Sequence, residues 1–486
     1  MTRSAFMARS RRAGLLATAV AALMLLAAAC SSSTPTHSAT TSAAPAPPSA
    51  TRTAAASAAP SASGSGAGPA AADWTTYNRT ADRSGVSVSS PAPARVHKAW
   101  TANVDGPVYA QPLIAGSTVI IATENDTVYA LDEATGAVRW KRHLASPVPS
   151  GLPCGNIDPS GITGTPVADP ASGRLWVVTF TAQPDYHHTL WALSLATGAT
   201  VSQRPIDLSG TDVKAQQERG ALTLAGDRVY VPFGGLYGDC SDYKGRVVGA
   251  PVAGSGPLVS FTTDNERQAG IWAPAGESAR DDSLYVATGN GMPYDQVDDS
   301  DSVLRLSPSL AVQAIFTPSN YESLSANDQD LGSTAPALLP DGLVFEVGKE
   351  GVGYVLSGSR LGGTGGELTS ASVCEGGFGG DAVDGTTVVF SCYRSLRAVQ
   401  VTGGTRPQLK TGWSVTGGNP GPPIIAGGVV WDVDRNGTLT GYRLSDGHQV
   451  YSSKDDSPAT SFPSLAASGT RLVVPAGTQV VSYTGI

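Results

Sequence analysis

The sequence predicts an all-β fold, an eight-bladed β-propeller preceded by a disordered tether, and three observations lead there. A unit of four short strand-like runs recurs eight times along the chain. Only 15% of the 486 residues are charged, whereas 57 are Gly and 34 are Pro, which suits many short strands and tight turns better than long solvated helices. The first 72 residues share none of this grammar, so they stand outside the fold.

From the N-terminus, Arg9, Arg11 and Arg12 precede an apolar run from Ala13 to Ala29 that ends at Cys30. A basic head, a core of this size and small residues before a Cys describe an export signal over residues 1–29. Leu26-Ala27-Ala28-Ala29-Cys30 resembles a bacterial lipobox, with Ala27 where Leu is usual, which makes Cys30 the expected lipidation site. Residues 30–72 then form the expected linker: 40 of the 42 residues from Ser31 to Ala72 are Ala, Ser, Thr, Pro or Gly. Such a stretch cannot bury enough apolar surface to offset its chain entropy. As a flexible coil it would separate its ends by ~35 Å. Export to the outer surface of the cell membrane, attached through lipid alone, is the expected location.

Residues 73–486 are expected to be the propeller. The clearest unit, Gly106 to Leu144, has runs at Val108–Ile114, Val119–Thr123, Thr127–Asp132 and Ala137–His143, separated by Gly116-Ser117, Glu124-Asn125-Asp126 and Ala134-Thr135-Gly136. Further units begin near Gly164, Ala221, Trp272, Thr334, Phe378, Pro420 and Ser461. A lone four-stranded sheet cannot bury both faces, whereas radial stacking covers them. The last unit stops after its third strand and a spare strand, His97–Val104, precedes the first, so the N-terminal strand is expected to complete the last blade and close the ring.

Charge narrows the function classes. All five basic residues of positions 1–72 are Arg, with no acid among them, which leaves the rest with 27 basic and 40 acidic groups, a net of −13. A body of that sign repels phosphate chains, and nucleic acid is excluded as a partner. The chain has no phosphate-binding glycine loop, no Gly-x-Ser-x-Gly elbow and no zinc-protease helix.

Tyr129-Ala130-Leu131-Asp132, Ala134-Thr135-Gly136 and Trp140, with Trp191-Ala192-Leu193 and Ala196-Thr197-Gly198 as a second copy, resemble the repeat of pyrroloquinoline quinone (PQQ) propellers. The resemblance covers about residues 98–486 and implies PQQ-type blades. It joins two kinds of protein: quinoprotein dehydrogenases, and cofactor-free scaffolds such as the propeller lipoprotein of the outer-membrane barrel assembly machinery. Matched to the dehydrogenases, Asn290 in Leu284–Gly291 falls at the calcium ligand, Asp330 at the catalytic base and Lys349 at the quinone contact. Asp239 lies in the loop that carries a calcium-binding Glu in those enzymes. The set would serve PQQ and Ca²⁺ through oxygen ligands, a proton-abstracting carboxylate and a cation over the reduced quinone. The departures are a single Cys154 where the dehydrogenases have vicinal cysteines, no Glu in the loop Leu236–Gly245, and no Cys-x-x-Cys-His.

Cys154, Cys240, Cys374 and Cys392 allow three pairings. Alternating strand direction puts the loops that lead into each inner strand, and those between second and third strands, on one face, called the top. That topology selects Cys154–Cys240 and Cys374–Cys392. Asp432 to Thr438 copies the start of an EF-hand loop but fits a hairpin turn. Asp295, Asp298, Asp299 and Asp301 are expected to be solvated, and His187 and His188 to lie at the surface. The Trp residues are expected to pack between blades. The expected function is a lipid-anchored binding or scaffolding module whose top face takes a protein partner at the cell envelope or a small-molecule ligand. The alternative is a PQQ- and calcium-dependent alcohol or sugar dehydrogenase.

Overall fold

Short β-branched runs punctuated by Gly turns give hairpins, and the hairpins assemble in fours. The computed structural model describes residues 73–404, 406–454 and 458–486, all within the compact unit Ser65–Ile486. The predicted export signal, Cys30 and the linker lie outside these residues. In the first blade the strands are Leu113–Ala115, Thr118–Thr123, Thr127–Asp132 and Val138–His143, paired antiparallel in sequence order from the axis outwards. Seven further four-strand meanders complete an eight-bladed propeller. Among the described residues the single α-helix is Tyr321–Ala326, and no helix is long and apolar enough to cross a membrane.

The ring is closed as the spare strand suggests. His97–Asn103 pairs antiparallel with Gln479–Thr484 and becomes the outermost strand of the eighth blade. Its side chains are mostly exposed, but Trp100 is turned inward.

Trp100 also shows how blades lock together. Its indole lies on the third-to-fourth-strand turn of blade 1, where a Cβ on Gly136 would fall 2.7 Å from the ring, and its Nε1–H donates to the Glu133 carbonyl at 2.8 Å. Trp140 does the same on Gly198, donating to Leu195 O at 3.1 Å, and Trp413 on Gly447, donating to Leu444 O at 2.7 Å. Each Gly has positive φ. The Ala-Thr-Gly signature therefore has two physical causes: a left-handed turn and a flat seat for the preceding blade's indole.

Two expectations give way. In blade 1 only Leu113 and Ile114 of the predicted Val108–Ile114 run are strand, because Pro112 lacks the N–H a ladder needs and Gln111 N–H instead donates to Thr165 Oγ1. His188 is buried in the strand His187–Ser194, stacked on Phe180 at 4.2 Å and edge-on to Phe233 at 5.1 Å. The strand's alternation turns it inward, and burial lowers its pKa to about 3, so it is a neutral core residue.

The axis is filled by the N-terminal segment before the spare strand. Asp73 accepts from Gly116 N–H at the bottom hairpin of blade 1, and Trp74 makes a two-way backbone bridge with Ile114. The chain then climbs to Tyr77, whose ring sits among Ala221, Ala275 and Ala335 of three successive blades and whose hydroxyl bonds Ser464 of blade 8 at 2.9 Å. It turns back through Arg83, which donates to Glu277 O and Thr223 Oγ1, and leaves with Val86–Ser87 paired parallel to Ile424–Ala426 of blade 7. Only a residue near the axis can touch so many blades, so Tyr77 plugs the central tunnel.

Candidate functional site

Above this plug, the top-face loops enclose a cavity of about 570 Å³ to which every blade contributes. The described chain enters at Asp73 on the opposite, bottom face. Two disulfides brace the rim. Cys154–Cys240 joins the loop leading into blade 2 to the second-to-third-strand loop of blade 3, and Cys374–Cys392 joins the approach to blade 6 to the end of its second strand. Beside them stand Tyr237 and Tyr393, 74% and 57% exposed at the mouth. Their backbones are tied at Tyr237 O, which accepts from Gly155 N–H, and Tyr393 N–H, which donates to Gly376 O.

Three of the residues singled out in the sequence, Asp239, Asp330 and Lys349, line this cavity. Asp330 is almost fully buried and meets three donors: Asn290 N–H on Oδ1 at 2.7 Å, and Trp272 Nε1–H at 3.0 Å and Lys349 Nζ at 2.8 Å on Oδ2. Lys349 Nζ also reaches Asp328 Oδ1 at 2.7 Å and lies 5.5 Å over the Trp272 ring. Burial acts to lower the Lys349 pKa, but the Asp330 and Asp328 carboxylates outweigh it and hold the pKa above its ordinary value. Asp239 takes a hydrogen bond from the Tyr243 hydroxyl, and burial nonetheless raises its pKa. Asn290 meets Asp330 through its backbone N–H and is not part of the cavity wall.

Other groups escape sequence reasoning. Trp272, expected among the inter-blade tryptophans, lies in the loop leading into blade 4 and binds Asp330; its place before Ala273-Pro274, outside any strand run, is the available signal. Asp301 is not solvated: it is buried behind Asp330, accepting from Leu331 N–H at 3.0 Å and Ser325 Oγ at 2.6 Å, and burial, reinforced by the Asp330 charge, raises its pKa to about 8. Arg219 belongs to no motif. Its guanidinium sits at the cavity floor 5.5 Å from the Tyr109 ring centre and 5.9 Å from that of Phe462, with Nη2 donating to Ser461 O at 3.0 Å. Phe462 in turn stacks on Phe378 at 6.2 Å and holds φ +56°, rare for an aromatic residue. The EF-hand-like segment is a hairpin turn in which Asp434 Oδ1 accepts from Asn436 and Thr438 N–H.

Among the described residues no three or more His, Cys, Asp or Glu side chains gather as a metal site. Calcium needs six to eight oxygen ligands. Here the place between Asp328 and Asp330 where a cation would sit is filled by the Lys349 ammonium, and both Asp330 oxygens already face N–H donors. The residues present do not fit a calcium ion.

Comparison with known proteins bears on the family. Residues 49–294 match the family model described as outer membrane protein assembly factor BamB. The chain is 26% identical over 234 residues to a polyvinylalcohol dehydrogenase of Sphingopyxis sp. (strain 113P3), covering 43% of this chain and 33% of that protein. It is 29% identical over 131 residues to outer membrane protein assembly factor BamB of Yersinia pestis, covering 26% and 32%. It thus spans about a third of the length of these curated relatives. Among solved structures, quinohemoprotein alcohol dehydrogenase ADHIIG from Pseudomonas putida HK5 superposes with a TM-score of 0.65 at 13% identity, over 85% of this chain and 80% of that one, a likeness of fold. Repeat, blade count and family match agree: the chain belongs to the PQQ-type propeller family described as outer membrane protein assembly factor BamB.

Proposed function

We propose that this chain is an exported, lipid-anchored propeller that acts as a binding or scaffolding module at the cell surface, with the top-face cavity as its binding site. The observation that carries this reading is the Asp328–Lys349–Asp330 cluster. Its cation position is occupied by a side chain, and its one deeply buried carboxylate is already satisfied. Such a set is suited to hold the cavity's shape rather than to exchange protons or ligate a metal. The likeness to BamB supports a protein partner at the envelope. A tether joined at Asp73, on the bottom face, would leave the cavity free to meet a ligand or that partner.

The alternative, a PQQ- and calcium-dependent dehydrogenase of an alcohol or sugar, would use Asp330 as base, Lys349 and Asn290 toward the quinone and Asn290 and Asp239 toward calcium. Its support is that Asp330, Lys349 and Trp272 converge in one cavity and that a dehydrogenase is among the relatives. The misfit of calcium weighs against it. The deciding experiment incubates the purified chain with PQQ and calcium and follows dye-linked oxidation of primary alcohols and glucose. The binding-module reading expects no turnover above that of Asp330→Asn. Turnover abolished by that substitution would overturn it.

A further inference from the structure

We propose that the cleft between blades 6 and 7 is a site for a primary alkylammonium group, held by Asp432 and favoured by the charge of Asp434, with the alkyl chain against Leu396 and Val415. The site goes beyond the reading of the large cavity, with which it shares only Pro420 in its lining. A charged residue stands here where blades elsewhere meet through apolar side chains. In blade 1, Ile121 lies opposite Tyr129 in its hairpin, and both are buried against blade 8. The corresponding pair in blade 7 is Asp432 and Thr440. Around it the contact between blades 6 and 7 is apolar as usual, with Leu396, Ala398 and Val430 beside Tyr442. A carboxylate in such a face carries a desolvation cost that only a partner of opposite charge offsets well.

The described chain supplies no such partner. Asp432 is 3% exposed; its Oδ1 accepts from Thr440 Oγ1 at 2.5 Å, and its Oδ2 meets no donor among the described residues. Neither Asp432 nor Asp434 enters an ion pair among those residues. Burial, with the Asp434 charge added, raises the Asp432 pKa to about 7, and only the Thr440 hydroxyl acts the other way. Asp432 opens onto a cavity of about 170 Å³ that no Lys, Arg or His lines.

The lining also selects the kind of cation. Asp434 commits Oδ1 to the N–H groups of Asn436 and Thr438, at 2.9 and 2.8 Å, and Oδ2 to Asn436 Nδ2 at 3.2 Å. One carboxylate oxygen is left unengaged, too few for calcium with its six to eight oxygen ligands. An ammonium asks for three acceptors. Asp432 Oδ2 is the charged one, and the hydroxyls of Thr440 and Tyr442, each with acceptor lone pairs, belong to the same lining. Leu396, Val415 and Pro420 offer an apolar wall to the stem, as chains that end in a cation prefer. The space is smaller than the ~300 Å³ at which ordinary small-molecule sites begin, so it suits a short chain rather than a ring system. At the rim, the exposed Gly417-Gly418 turn has no side chain to close the entrance. A free alkylamine and the lysine side chain of a partner protein present the same group.

The test titrates the purified full-length chain by calorimetry with butylammonium chloride, with lysine blocked at its α-amino and carboxyl groups, with neutral butanol and with calcium chloride. Saturable binding of both amines at one shared site is expected, and of butanol and calcium none at that site. Asp432→Asn, which keeps the shape and removes the charge, should weaken amine binding at least tenfold, the worth of a charge-assisted bond. Thr440→Val, a second variant should the first fail to fold, should weaken it about fivefold, as loss of a neutral hydrogen bond does. Tighter binding of the blocked lysine than of butylammonium would point to a partner's side chain, and the reverse order to a free amine. The proposal is overturned if the variants bind as the parent does, if butanol binds as tightly as the amines, or if no amine saturates by roughly 10 mM. It is also overturned if calcium displaces the amine at lower concentration in an Asp432-dependent way, which would make the cleft a metal site.

Discussion

If the tryptophan seats hold neighbouring blades together, a single methyl group placed in one of them should cost far more than the same group placed in an open turn. Gly198 and Gly116 make the comparison. Both are left-handed, at φ +68° and +57°. A Cβ on Gly198 would lie 2.6 Å from Trp140 Cε3 and 2.9 Å from Cδ2, whereas one on Gly116 meets nothing within 4 Å. Gly116→Ala should therefore lose only the backbone term of about 1 kcal/mol. Gly198→Ala adds overpacking of about 1–3 kcal/mol and strains the indole-to-Leu195 hydrogen bond, worth about 1 kcal/mol. The predicted gap between the two variants is about 2–4 kcal/mol, read from urea unfolding midpoints with the slope unchanged. In a Trp140→Ala background the gap should close, because the clash has lost its partner. Equal losses for Gly198→Ala and Gly116→Ala in the parent chain would refute the seat as an inter-blade lock.

Other expectations follow from the same structure. Deleting 97–103 strips the outer strand from blade 8 and leaves Gln479–Thr484 an open edge, so the product should lose cooperative unfolding and aggregate in size-exclusion chromatography. Burial lifts Glu124 and Glu277 from ordinary carboxylate values to about 7. Each then prefers its protonated form in the fold, so the stability they supply is complete below about pH 4 and is lost as pH rises through 7, on the order of 3 kcal/mol apiece. Unfolding midpoints from pH 4 to 8 should fall, and Glu124→Gln should flatten that decline; a midpoint that rises across this range would contradict it. Cys30→Ala should move the protein from the membrane fraction to the soluble one, and unchanged fractionation would remove the lipid anchor from the proposal.

The blades were legible because their causes are local: alternating apolar runs, turn residues, and an Ala-Thr-Gly whose glycine serves both a left-handed turn and an indole seat. Ring closure was legible from counting strands. What escaped was set by contacts distant in sequence. Trp74 and Tyr77 belong to no repeat, and nothing in Asp73–Val86 announces that it will thread the axis and bond to inner strands across the ring. His188 looked exposed because two adjacent histidines suggest a polar loop, while strand alternation buries the second between Phe180 and Phe233. At the site, matching residue types brought out Asp330 and Lys349 but could not show that Lys349 lies between two aspartates, nor that Asn290 presents its backbone. Arg219 was invisible because its surroundings, the Tyr109 and Phe462 rings, Ser461 O and the buried Glu124, come from segments distant in sequence.

The binding-module reading stands or falls on whether the Asp328–Lys349–Asp330 cluster holds its own cation. Terbium, which replaces calcium at oxygen sites, would report otherwise through Trp272, whose ring lies 5.5 Å from Lys349 Nζ. Titrated into the purified chain with and without PQQ, it should give no saturable tryptophan-sensitised emission that depends on Asp330. Stoichiometric emission at micromolar terbium, abolished by Asp330→Asn, would show a metal seat at the position assigned to the lysine.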